Sequence, residues 1–150
     1  MTKRERATGL FMLGYNCSQS VAGAFCDETG IDFDAMMKLS SAFGGGMGRL
    51  REVCGAVSGM FLITGILYGY DDPKDIGAKK ALYTEIQSLA NRFREQHGSY
   101  VCRELLGLNI KGGDSPEPEK RTPEYYKKRP CKQLIGDAAE ILERFIESHK

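Results

Sequence analysis

Apolar residues recur at three- and four-residue spacing along almost the whole chain, and no stretch alternates as a half-buried strand would. That pattern restricts the chain to helix packed on helix. The segment Thr2 to Leu13 presents Leu10, Phe11 and Leu13 on one side and stops at Gly14. Asn16 caps a second helix from Cys17 to Glu28, with Val21, Ala24 and Phe25 inward. After the Thr29-Gly30 turn, Asp32 caps a third from Phe33 to Phe43, with Phe33, Met36, Met37 and Leu39 as its apolar stripe. The glycine-rich run from Gly44 to Arg51 is a loop, because so many glycines lose too much backbone entropy inside a helix. A fourth helix runs from about Glu52 to Tyr68. Its Gly55 and Gly59 share one face, so another backbone or a cofactor can approach closely. Asp72-Pro73 starts a fifth helix that reaches about His97, with Ile76, Leu82, Tyr83, Ile86, Leu89, Ala90 and Phe93 inward. Ser99 opens a short sixth through Cys102 to Leu106. Lys111 to Glu119 is a polar Gly/Pro loop, expected to be mobile. Thr122-Pro123 begins one further turn before Pro130. The last helix spans Cys131 to Ser148, with Leu134, Ile135, Ala138, Ile141, Leu142 and Phe145 inward. The expected fold is all-α: a single domain over residues 1–150, with six or seven helices packed as an irregular bundle.

A chain of 150 residues is long enough to bury one core. Its net charge of +1 carries no nucleic-acid footprint. Lys120, Arg121, Lys127, Lys128, Arg129 and Lys132 are interleaved with Glu117, Glu119 and Glu124, the pattern of a solvated face. No apolar core region of a leader peptide follows Met1-Thr2-Lys3-Arg4. The apolar stretch Val53 to Tyr70 contains four glycines and is bounded closely by Glu52 and Asp71. It reads as a buried helix, not a membrane span. The expected location is the cytoplasm, where thiols are kept reduced and spread-out cysteines serve metal binding or reversible redox chemistry.

Five cysteines are present, and four of them, Cys17, Cys54, Cys102 and Cys131, fall where a helix is expected to begin. A helix N-terminus carries partial positive charge and unpaired N–H groups, which favour the thiolate. Cys26 sits late in the second helix and is read as structural. No C-x-x-C, zinc-knuckle or haem-attachment spacing occurs. The glycine loop lacks the Gly-Lys-Ser/Thr of a phosphate-binding loop and follows no strand. Its role is positional: it presents Cys54, with Arg49 and Arg51 adding positive potential and Glu52 opposing it. Cys54 is therefore the expected nucleophilic thiol. If the four cysteines converge, they suit an iron–sulfur cluster or tetrahedral zinc. In a thiol–disulfide pair, Cys54 would attack and a neighbour would resolve. Two other classes stand beside these. One is a soft-metal or metalloid carrier serving a transporter; the other is a structural helical protein with inert buried cysteines. His97 is read as a helix cap, Met12, Met36, Met37, Met47 and Met60 as core filler, and Tyr15, Tyr68 and Tyr100 as core or rim residues able to donate to sulfur. The apolar fourth helix could also serve a homodimer.

Three segments carry a family resemblance. Gly14-Tyr15-Asn16-Cys17-Ser18-Gln19, Phe43-Gly44-Gly45-Gly46-Met47-Gly48 and Val53-Cys54-Gly55-Ala56-Val57-Ser58-Gly59 resemble the redox-active proteins labelled C_GCAxxG_C_C. The family's two later cysteines would match Cys102 and Cys131. The resemblance covers about the whole chain and leaves Cys26 outside the four. It implies a small helical bacterial or archaeal protein, often encoded near transporter genes, with a redox or metal role as oxidoreductase or electron carrier. Similar sequence occurs in a multihaem cytochrome thought to carry an iron–sulfur centre. This chain lacks the haem motifs, so only the iron–sulfur part of that analogy carries over.

Overall fold

The computed structural model describes residues 1–150 as an all-α chain without a strand. Nine helices follow one another: α1 Lys3–Met12, α2 Cys17–Gly23, α3 Cys26–Thr29, α4 Phe33–Ser40, α5 Gly55–Tyr68, α6 Ile76–His97, α7 Cys102–Leu105, α8 Pro123–Lys128 and α9 Cys131–Ser148. A 3-10 turn at Ser41–Phe43 follows α4. The expected caps do their work at three of these starts. Asn16 and Gln19 form a reciprocal capping box on α2, Asp32 accepts from Ala35 on α4, and Thr122 accepts from Tyr125 on α8.

The core forms where α1 lies on α9, α2 on α5, and α9 on α5 and α6. Phe11, Phe25, Met36, Met60, Ile63, Leu89, Phe93, Ile135, Leu142 and Phe145 are fully buried there. Burying a side chain of this size contributes about 1.5–3 kcal/mol. The Gly55/Gly59 face lets α5 press onto the start of α2. A Cβ at Gly59 would stand 2.8 Å from the Ser18 carbonyl oxygen, and one at Gly55 would stand 3.0 Å from the Cys17 Cβ. The two glycines therefore set how close Cys17 comes to Cys54.

Several expectations change, and Leu13, Ile76 and Tyr83, expected inward, are exposed. The second helix breaks in two, because the Ala24 and Phe25 N–H groups turn to the i−3 carbonyls of Val21 and Ala22 and so drive Phe25 into the core. Cys26 thereby becomes the first residue of α3. The fourth helix starts at Gly55 instead of Glu52, because Val53 pairs antiparallel with Val101. The fifth starts at Ile76, with Asp75 as its cap, while Asp72 closes the preceding turn by accepting from the Lys74 N–H. The Gly/Pro segment is anchored: Asp114 accepts from Arg49 and Arg51, and Glu119 from Arg129.

Candidate functional site: a cysteine-lined basic cavity

Cys17, Cys54, Cys102 and Cys131 line one cavity of about 340 Å³. Each is placed by a helix start. Cys17 is the first residue of α2, Cys102 of α7 and Cys131 of α9, and Cys54 is the cap of α5. The antiparallel Val53–Val101 bridge puts Cys54 opposite Tyr100 and Cys102 opposite Glu52, so the two cysteines lie diagonally across the pair. Cys54 N–H donates to the Tyr100 carbonyl at 2.8 Å, and Cys102 N–H to the Glu52 carbonyl at 2.5 Å. Cys26 heads a helical turn too, yet it does not line the cavity. A helix start therefore does not separate the site cysteines from the fifth; convergence does. All five thiols are free.

The glycine loop forms the wall beside Cys102. Gly45, Gly46, Met47, Gly48 and Arg49 all have φ between 60° and 72°, a single left-handed turn. Such a turn costs roughly 1–2 kcal/mol at each residue that carries a Cβ. It allows close approach: a Cβ on Gly46 would stand 2.6 Å from the Cys102 Cβ. Past it, Arg51 is buried and donates to Cys102 Sγ at 3.6 Å.

A further part of the lining comes from the segment read as a solvated face. Arg121 and Arg129 turn inward and line the cavity with Arg49 and Arg51. Arg121 stacks 4.0 Å above the Phe11 ring and donates to the Phe11 and Tyr15 carbonyls. Charge pattern alone could not reveal this, because alternating signs look the same on a surface and around a cavity. His97 lies elsewhere, with Nε2 2.9 Å from Asp137 Oδ2 at the end of α6.

The thiols differ sharply in acidity. Burial pushes Cys54 up to about 12, although the Ala56 and Val57 N–H groups donate to its sulfur. Burial also raises Cys102, against the opposing pull of Arg51. The Cys17 and Cys131 thiols interact, and their acidities split. The proton that Cys17 holds toward Cys131 lowers Cys131 to about 7, helped by the charge of Arg129 and a hydrogen bond from Tyr125. The same interaction with Cys131 is the largest cause of the rise at Cys17. Burial thus weighs against a thiolate at Cys54, the position expected to react, while the surroundings of Cys131 favour one.

Residues 15–145 match the family described as "Putative redox-active protein (C_GCAxxG_C_C)". The chain belongs to the C_GCAxxG_C_C family. No curated protein and no solved structure matches this chain. In this C_GCAxxG_C_C protein, no three cysteine, histidine or carboxylate side chains stand close enough to hold a single metal ion. Zinc bound by four thiolates at about 2.3 Å would require these side chains to draw together. Four cysteine thiolates are the usual ligand set of an iron–sulfur cluster, and Cys17, Cys54, Cys102 and Cys131 around this basic cavity would be a donor set of that kind. No helix of the C_GCAxxG_C_C chain is long and apolar enough to cross a membrane.

Proposed function

We propose that this protein exchanges thiols for a disulfide through Cys131 and Cys17. The observation that carries the reading is that these two thiols line one cavity, and it is supported by the opposite directions in which their mutual interaction moves their acidities. A thiol whose pKa lies near ambient pH is the best attacking group, because it is both ionised and nucleophilic. The Cys131 thiolate attacks one sulfur of a substrate disulfide. A mixed disulfide forms, and the leaving thiolate takes a proton from water. Cys17 then gives up its proton and attacks Cys131 Sγ, the second substrate thiolate leaves and is protonated, and a Cys17–Cys131 disulfide remains. Two electrons pass from the protein to the substrate, with one proton from Cys17 and one from the solvent that took up the proton of Cys131 when it ionised. Cys54 and Cys102, with raised pKa values, stay protonated beside the pair.

A second reading rests on the four thiols facing one cavity beside Arg51. In it Cys17, Cys54, Cys102 and Cys131 would hold an iron–sulfur cluster, which supplies one-electron transfer when bound. The arginines would offset the anionic charge of the four thiolates. Anaerobic purification with iron, sulfide and zinc analysis separates the two. The exchange reading expects a metal-free protein that a graded redox buffer converts in one two-electron step to a Cys17–Cys131 disulfide, located by peptide mapping. Stoichiometric iron and sulfide, lost together when any one of the four cysteines becomes Ala, would replace it with the cluster reading.

A further inference from the structure

The cavity carries more positive charge than thiol exchange alone needs. Arg49, Arg51, Arg121 and Arg129 line it, Glu119 is the one carboxylate in the lining, and Asp114 behind it accepts from Arg49 and Arg51 at 3.1–3.2 Å. One oxygen of that carboxylate is shared among three guanidinium groups. Glu119 Oε1 accepts from Arg129 Nη2 at 2.5 Å and lies 3.6 Å from Arg51 Nη2 and 3.8 Å from Arg49 Nη1. The Arg51 side chain is only 5% exposed, and the same guanidinium touches Cys102 Sγ. Three cations held this close in a partly dry cavity repel one another unless an anion lies between them. Guanidinium groups also match a carboxylate better than any other common side chain does.

Glu119 accepts a hydrogen bond from Arg129 alone among the three guanidinium groups. Glu119 sits on the helix-free segment between α7 and α8, and its side chain remains 38% exposed. Pro116 and Pro118 on the same segment border the cavity. A carboxylate from solution therefore competes with an open surface residue for a cage whose other members are mostly buried. The cavity volume is that of a small-molecule site.

We propose, building on the Cys131–Cys17 exchange reading, that the substrate is a small disulfide bearing a carboxylate, and that this carboxylate replaces Glu119 among Arg49, Arg51 and Arg129. One substrate disulfide and the protein dithiol then yield the protein disulfide and two thiols, at least one of which bears the carboxylate. The cage holds the charged end of the substrate while its sulfur meets Cys131.

The test uses the full-length reduced protein and three small disulfides: anionic dithiodipropionate, neutral hydroxyethyl disulfide and cationic cystamine. Each rate of Cys17–Cys131 disulfide formation is divided by the rate of the same reagent with a free thiol in solution. The normalised anionic-to-neutral ratio is expected to reach at least about tenfold at low salt, the low end of what a charge-focused cleft provides. It should shrink near 1 M salt, where the screening length is about 3 Å. Glu119→Gln should raise the ratio and Arg49→Gln should lower it. Ratios within one protein cancel any general change in thiol reactivity. Succinate gives a reading independent of exchange: it should protect Cys131 from the neutral reagent iodoacetamide in the wild-type protein and protect it less in Arg49→Gln. Brisk exchange with no preference for the anionic disulfide would overturn the carboxylate assignment and leave the exchange reading standing. Protection by succinate with no disulfide formed from any of the three reagents would overturn the substrate assignment together with the exchange reading.

Discussion

Cys54 and Cys131 both stand at the N-terminal ends of long helices, yet their acidities move in opposite directions. The helix end acts on each of them. At Cys54 burial outweighs it, because removing a thiolate from water costs more than two N–H donors return. At Cys131 a neighbouring thiol, an arginine and a tyrosine decide the outcome. Alkylation of Cys131 should therefore follow a titration with its midpoint at about 7. Cys17→Ala removes the largest cause of the lowering, so the midpoint should climb toward the ordinary thiol value near 8.5. Tyr125→Phe removes a smaller one and should move it less. Cys54 should remain unlabelled at neutral pH throughout. Mass spectrometry of timed iodoacetamide reactions reads all of these, and a midpoint that ignores Cys17→Ala would show that the pair does not set the acidity.

Among the elements, the left-handed glycine turn is the one on which the site geometry depends most directly. Gly46→Ala would force a side chain into a φ of 72° and against the Cys102 Cβ and the Arg51 backbone. Strain and overpacking together should cost about 2–4 kcal/mol. Gly65→Ala, on α5 with nothing within 4 Å of the added methyl, is the matched control. It should gain about 0.5–1 kcal/mol by reducing the entropy of the unfolded chain. Urea unfolding of the two variants should show opposite shifts in midpoint. The glycine run was readable in the sequence as a loop presenting Cys54, because glycine content alone excludes a helix interior. Its handedness was not, since φ is decided by what the loop must pass. The same limit explains other gaps. The limits of α9 are exact in the sequence, Cys131 to Ser148, because a proline, a strong apolar stripe and the chain end all coincide. The Val53–Val101 pairing leaves no trace, because one bridge has no alternation to detect. Arg121 and Arg129 sit in a charge pattern that is the same whether it faces solvent or a cavity. The four cysteines were legible as a set through their places at expected helix starts and through the family resemblance, whereas their unequal acidity depends on who touches whom after folding.

On the scale of the whole molecule, the cavity exists only when segments from both ends of the chain close around it, so the thiols titrate differently in the folded and unfolded states. That difference makes stability depend on pH in a defined way. Cys131 is lowered to about 7, below the unfolded thiol value near 8.5. Between these values the native state has released a proton that the unfolded chain still holds, so this thiol adds stability as pH rises. Cys54 is raised to about 12, and Cys17 and Cys102 are raised with it. Above about 8.5 the unfolded chain releases protons that the native state keeps. The stability these thiols contribute is complete below that value and is lost as pH climbs toward their folded values, at about 1.4 kcal/mol per pH unit for each fully protonated thiol. Stability under anaerobic, reducing conditions should therefore fall steeply in the alkaline range. Lysines and tyrosines titrate there as well, so the decisive quantity is a difference between proteins. Cys54→Ala lowers stability at neutral pH by leaving a small cavity, but its alkaline slope between about pH 9 and 11 should be shallower than wild type by about 1.4 kcal/mol per pH unit. Urea midpoints measured across that range give both slopes. Parallel slopes would mean that Cys54 ionises as easily in the folded protein as in the unfolded chain, and that the cavity is wet where its burial says it is dry.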